Sequence, residues 1–462
     1  MGDVNSIRFA NNIWYIGVQC GCDPVNIPAY NLDDHRHTGN YEVVYEDQQE
    51  IEHVLITFGL YEMAFYWDFT TWVTETLQYF QNSNVFPNLK NFYILYDQIY
   101  INFSVLPDHY NVYGHQIKYL LLRTDEYERK TINLDYDRQW LNQITQKYGH
   151  EQYKAFWLIG DIRNRPHKFP LLYDFYINNQ LHLLDYALTT ALFEPKTGQP
   201  APDDYKVNWI LIDVMQNMYD KNFNRESLLE LYEKLARELS GDGGPKLARE
   251  GTFDLDVATY YFPPQGNDAD LIIMPDTFFA NPTPGSSYGD DKGQTGKHYW
   301  EHGDYHPMTE KPWKPIATKK PFINISYRDS IAQTLEKFGY RTFLKYTDYP
   351  EYLTGPENWQ LSDHWSVARR HVDITRKRIC SFLENLHENC QSIQEDIDWN
   401  YYHHKNVVAQ EWALLYQHCP PLKKVDKLQI LRCFALTVPN PHLHDRTWHA
   451  WTYNWLNGWR DN

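Results

Sequence analysis

Short apolar runs recur along the first three-quarters of the chain and alternate with segments whose apolar positions fall three and four apart. That alternation predicts strands separated by helices, and so an α/β fold with mostly parallel sheets. In the first part, residues 13–19, 53–58, 92–96 and 118–123 read as strands, with helices over 68–80 and 135–148. From 151 the pattern starts afresh: a strand over 155–160, a polar turn, and a helix over 169–178. Further strands are expected at 185–190, 209–213 and 270–274, with a helix over 227–239. A core strand at 322–325 and an amphipathic helix over 331–338 follow. Beyond 363 the chain reads as helices, at 363–386, 390–402 and 407–419. The expected organisation is thus two Rossmann-like domains, 1–150 and 151–360, with a helical layer over 361–462 that packs on both.

A length of 462 residues suits that division, being too long for one ordinary core. Aromatic residues make up 16%, including 37 Tyr and 16 Trp, yet the mean hydropathy is −0.65, which implies aromatic-rich cores beneath a very polar surface. A formal charge of −17 opposes general attraction to nucleic acid, whose binding rests on neutralising phosphates. Six cysteines, at 20, 22, 380, 390, 419 and 433, form no paired C-x-x-C pattern, which favours free thiols in a reducing compartment. With no basic-then-apolar leader and no apolar run of bilayer length, the expectation is a cytoplasmic protein without a membrane span.

Candidate chemistry gathers in two places. The run Thr309-Glu310-Lys311-Pro312 is expected to open a short helix, with Thr309 as its cap and Glu310 and Lys311 in its first turn. A carboxylate there can accept both hydroxyls of a ribose, and an ammonium beside free helix N–H groups suits a diphosphate, so a nucleotide sugar is the ligand that needs both. The plain alternative is an ordinary capped helix with both charges in solvent. The turn after strand 155–160 carries Arg163, Arg165, His167 and Lys168 ahead of a helix, which is how a Rossmann-like half begins when it holds an anion. Sugar transfer also needs a base near the acceptor hydroxyl. Asp33, Asp34, His35, His37 and Glu62 follow the first strands, and Glu62 is preferred over His35 because ligands gather beyond the carboxyl ends of parallel strands. A long polar loop over 280–306 reads as a lid, an acceptor-contacting insertion or disorder. Within it His302, Asp304 and His306 share one side of an extended segment, but a solvated loop explains them more simply than a metal. Signatures of phosphate-loop, α/β-hydrolase and H-E-x-x-H enzymes are absent.

Three stretches in order, Arg163-Asn164-Arg165-Pro166-His167-Lys168, Asp276-Thr277 and Thr309-Glu310-Lys311-Pro312-Trp313-Lys314-Pro315, resemble the motifs of a group of bacteriophage and bacterial sugar transferases. The T-E-K segment is itself similar to the nucleotide-binding segment of α1,3-fucosyltransferases. The resemblance covers about residues 151–350. It implies a GT-B architecture, with two Rossmann-like domains facing a cleft, a metal-independent glycosyltransferase activity, and no cofactor besides a nucleoside diphosphate sugar as co-substrate. On this likeness Glu310 holds the ribose, Lys311 the diphosphate, and Arg163, Arg165, His167 and Lys168 the same anion, with Thr309 and Asp276 alongside. The acceptor is left open, a modified base in phage DNA being the second option; the rival class is a non-catalytic phage protein that keeps the fold. Where the group has glycines after the strand that follows T-E-K, this chain has Ser326-Tyr327-Arg328-Asp329; Arg328 is the residue expected to substitute there as a phosphate contact.

Overall fold

The structure, a computed structural model, describes residues 4–10, 12–18, 49–58, 86–96, 111–116, 140–149, 152–160, 168–189, 209–240, 246–248, 266, 268–275, 312–326, 329–353 and 361–424. The chain divides into two compact units: Met1–Arg123 with Pro307–Thr309 and Lys405–Asn462, and Thr124–His306 with Glu310–His404. Both are built on largely parallel sheets, and the protein is mixed α/β.

Unit 1 carries β1 (Val4–Ala10), β2 (Ile13–Val18), β3 (His53–Phe58), β4 (Asn91–Tyr96) and β5 (Asn111–Gln116), which lie side by side in chain order. β1 and β2 form an antiparallel pair; β2 to β5 are parallel, with Ile13, His53, Asn91 and Asn111 in one register row. The winding does not reverse among these described strands. β3 and β4 are near-continuous apolar runs because strands of a parallel sheet are covered on both faces; Val54, Leu55, Phe92, Tyr93 and Ile94 are fully buried. Each such side chain contributes about 1.5–3 kcal/mol from burial. β1 was not expected, since V-N-S-I-R-F-A lacks a clean apolar run, and it forms by pairing with β2 across a tight reversal. Glu52 ties the amino ends of the strands together, accepting from the Lys90 ammonium and, at 3.1 Å, from Asn12. Next to it His53 is buried, with Asn91 Nδ2 3.1 Å from its Nδ1, and burial lowers its pKa, keeping the imidazole neutral.

Unit 2 carries α1 (Trp140–Lys147), β6 (Ala155–Gly160), α2 (Lys168–Ile177), β7 (Leu184–Thr189), α3 (Trp209–Met218), α4 (Arg225–Ser240) and β8 (Lys246–Ala248). These are followed by β9 (Leu271–Pro275), α5 (Trp313–Ala317), β10 (Phe322–Ile325) and α6 (Ser330–Lys337). Strands β6 to β10 are all parallel, in the order β10-β9-β6-β7-β8. The core of the sheet is Ala155, Phe156 and Trp157 of β6 beside Leu271, Ile272 and Ile273 of β9, all with no exposed surface. The strand expected at 209–213 is instead the start of α3. Its buried residues Leu211, Val214, Met215 and Met218 fall at helical spacing, and the opening W-I-L-I run could not be told from a strand by periodicity alone.

Helix α7 (Leu361–His418) is continuous where three helices were expected. No proline or glycine occurs between its ends, so the polar stretch near Asn389 costs it little, and Pro420 lies just past its last residue. Its residues to His404 belong to unit 2 and those from Lys405 to unit 1. In unit 1, Leu415 and Cys419 are fully buried at its end. There the Tyr93 hydroxyl donates to the His418 carbonyl and the Tyr113 ring stacks on His418 with centroids 3.9 Å apart. Burial pushes the Cys419 thiol up to about 12, which makes it an inert core thiol.

Candidate ligand edge of the unit 2 sheet

Strand order singles out one end of the unit 2 sheet. The chain lays down β6, then β7 and β8 on one side of it, and returns to the other side for β9 and β10. β6 and β9 are therefore neighbours whose next strands, β7 and β10, lie on opposite sides of the pair. In open parallel sheets such a reversal, on the carboxyl side of the strands, is where a crevice for ligands forms. β6 ends at Gly160 and β9 at Pro275. The arginine-bearing segment leaves the first and Asp276 directly follows the second.

Most of the expected site residues lie outside the described residues. This holds for His35, Glu62, Arg163, Arg165, His167, Asp276, Thr309, Glu310, Lys311 and Arg328, as it does for Asp33, Asp34, His37, His302, Asp304 and His306. Lys168 is the first residue of α2. Within unit 2 the structure sets β6 beside β9, the strands that the arginine-bearing segment and Asp276 follow.

α2 starts directly after the arginine-bearing segment and is firmly anchored. Its inward Asp174, 2% exposed, accepts from Arg376 Nε of α7 at 2.7 Å. Arg376 also donates to Asp373 at 2.8 Å. Arg369 donates to the Met218 carbonyl at 2.9 Å and lies over the Tyr219 ring, 3.7 Å from its centroid, while the Tyr219 hydroxyl donates to the Pro170 carbonyl of α2 at 2.9 Å. Buried guanidinium–carboxylate contacts of this kind fix orientation more surely than they add stability.

The T-E-K segment leads into α5, but the helix begins later than the sequence implies: Pro312, with φ −61° and ψ −26°, is its N-cap and Trp313 its first residue. The first turn is thus Trp-Lys-Pro-Ile, all buried. It is set by packing: Trp313 stacks on His404 with centroids 5.4 Å apart and lies 5.5 Å from Tyr340, whose hydroxyl is 3.0 Å from His404 Nδ1. α5 ends with Lys319 in the left-handed region at φ 54°, its N–H and that of Lys320 returning to Ile316 and Pro315.

The turn after β10 keeps the backbone that a glycine would serve. Asp329 has φ 53° and ψ 28°, a left-handed conformation that Asp tolerates better than most residues. Its carboxylate does not cap α6. It faces Arg378, whose Nη1 donates to both oxygens at 2.8 and 2.9 Å, and it accepts the Leu353 N–H at 2.7 Å. Arg378 Nε donates to the Tyr349 carbonyl at 2.8 Å, and Ser326 Oγ takes over the capping of α6 by accepting from the Ile331 N–H at 3.2 Å. Burial holds the Asp329 carboxyl above the ordinary range, with Arg378 and Leu353 pulling the other way.

At the opposite, amino end of the sheet, Asp270 is 1% exposed and accepts from Lys147 Nζ at 2.9 Å, Gln143 Nε2 at 3.1 Å and the Lys154 N–H at 2.9 Å. Lys320 Nζ in turn donates to Gln143 Oε1 at 3.2 Å. This network fastens α1 beneath β6, β9 and β10, away from the strand ends that lead to the motifs.

Among the described residues of the sheet, two buried polar groups have no hydrogen-bond partner: Trp157 Nε1 of β6 and both amide atoms of Asn324 of β10. Sequence reasoning missed Asn324, taking F-I-N-I as a plain core strand, although one amide inside an apolar run was the signal to read. No protein-family model, no curated protein and no solved structure matches this chain. Among the described residues no helix is long and apolar enough to cross a membrane.

Proposed function

We propose that the protein is a metal-independent glycosyltransferase that moves a sugar from a nucleoside diphosphate sugar to an acceptor, with two Rossmann-like domains in a GT-B-like organisation. One observation carries the reading: the winding of the unit 2 sheet reverses between β6 and β9, whose ends lead into Arg163-Asn164-Arg165 and Asp276. In this reading the guanidiniums of Arg163 and Arg165 and the Lys311 ammonium neutralise the departing diphosphate, the largest single electrostatic help to transfer without a metal. Glu310 accepts the ribose hydroxyls. The acceptor hydroxyl gives its proton to Glu62 or His35, which follow the neighbouring strands β3 and β2. The missing glycine after β10 weighs little against donor binding, because Asp329 holds the left-handed backbone there.

The test is thermal stabilisation by UDP, GDP and their sugars. Ligand at a hundred times its Kd stabilises the folded state by about 2.7 kcal/mol. The expected result is a shift with one nucleotide family that Glu310→Ala abolishes; no shift with any of them sinks the reading. A transfer assay with small glycosyl acceptors and with hydroxymethylated DNA then separates the two acceptor options.

A further inference from the structure

Asn324 is the most conspicuous unexplained polar group on the sheet. It is 8% exposed, and neither its amide nitrogen nor its oxygen has a hydrogen-bond partner among the described residues. Leaving such an amide unmet costs on the order of 1–3 kcal/mol, so buried side-chain amides of this kind are rare without a reason. Its place narrows the reason. Asn324 pairs with Met274 in the row next to the carboxyl ends of β10 and β9, at Ile325 and Pro275. That is the sheet end at which the winding reverses.

Alternation along the strand puts Asn324 on the same face as Phe322 and Ser326. Phe322 packs edge-on against Phe343 with centroids 5.3 Å apart, and Ser326 Oγ reaches the first turn of α6. The amide thus lies along the strand between the Phe322 side chain and the Ser326 hydroxyl on one buried face of β10.

We infer that Asn324 reads the nucleobase of the nucleotide, an inference that rests on the donor-binding reading above. A nucleotide runs phosphate, ribose, base. With the diphosphate beyond the end of β6 and the nucleotide lying along the carboxyl edge of the sheet toward β9 and β10, the base falls at β10, two strand spacings or about 10 Å from β6. A primary amide offers one donor and one acceptor side by side in a plane, the complement of a base edge that carries an acceptor and a donor at the same spacing. An uncharged amide on the face that carries Phe322 suits a flat heterocycle and gives a phosphate no counter-charge.

Asn324→Leu keeps the side chain branched at Cγ with the same number of heavy atoms and removes both polar atoms. The experiment measures Kd for UDP, GDP, ADP and CDP and, as a base-free probe, for inorganic pyrophosphate, on wild type and variant, alongside the melting temperature of each without ligand. The expected result is about a tenfold loss for the preferred nucleotide, the worth of roughly 1.4 kcal/mol, with pyrophosphate binding unchanged. The unliganded variant is expected to melt roughly 2–4 °C higher, since an unmet buried amide has gone. A wild type that binds nucleotide and a variant with the same nucleotide-to-pyrophosphate ratio overturn the inference and leave the transferase reading standing. A wild type that binds no nucleotide overturns both.

Discussion

Arg378→Met is the substitution whose consequence the structure specifies best. The arginine is 1% exposed, and its guanidinium meets both oxygens of Asp329 and the carbonyls of Tyr349 and Glu351. Methionine fills the aliphatic part of that space and supplies none of these bonds. Asp329 keeps the Leu353 N–H, and two carbonyls lose their donor. Breaking a buried pair on one side costs about 3–5 kcal/mol, because the partner charge stays behind uncompensated. The double variant Arg378→Met with Asp329→Asn removes both charges, and Asn tolerates the left-handed backbone, so it is expected to be more stable than the single variant. The pH dependence follows from the direction of the Asp329 shift. Burial already lifts its folded pKa above the unfolded value, so on this group folding is favoured fully below the unfolded pKa and loses ground as pH rises through the folded one. Taking away the guanidinium lifts the folded value further. The deficit of the single variant is therefore smallest near about pH 4 and grows toward about pH 8. Urea unfolding followed by circular dichroism at both pH values measures it. A loss under about 1 kcal/mol, or one that does not change with pH, refutes the account of Asp329 as a buried, arginine-dependent anchor.

Gly339→Ala should destabilise by about 1–2 kcal/mol: the residue has φ +83° and ends α6 with its own and the Tyr340 N–H returning to Glu336 and Leu335, and a methyl there would lie 3.1 Å from the His403 ring. Thermal melting checks it, and an unchanged melting temperature would mean that His403 and the turn yield freely. His53 gives unit 1 an acid sensitivity. Its folded pKa lies below the ordinary 6.5, so its share of stability is complete above that value and is lost as pH falls through the folded pKa; His53→Gln should flatten the stability profile of unit 1 between about pH 7 and 5.

Local pattern was enough for the individual strands at the centre of each sheet. The runs at 53–58, 92–96, 155–160 and 322–325 are apolar because both faces of a parallel strand are covered, and that requirement is written residue by residue. The same locality misled at Trp209, where a short apolar run meets the needs of a strand and of a buried helix equally, and neighbouring elements made the choice. It missed β1, which owes its existence to a partner strand. In the candidate site, the chain order of the motifs was legible, but the adjacency of β6 and β9 was not, since 110 residues lie between Gly160 and Leu271 and strand order is a property of the sheet. The altered turn at Ser326–Asp329 reads in sequence as a lost glycine. Only packing shows that the left-handed backbone survives, because the anchor that keeps Asp329 there lies 49 positions away in α7. The sequence alone thus determined which segments are apolar enough to be core and where cationic and acidic groups follow them. The tertiary structure decided which of those segments are neighbours and which polar groups find partners, because hydrogen bonds and ion pairs between distant residues depend on positions that no local pattern records.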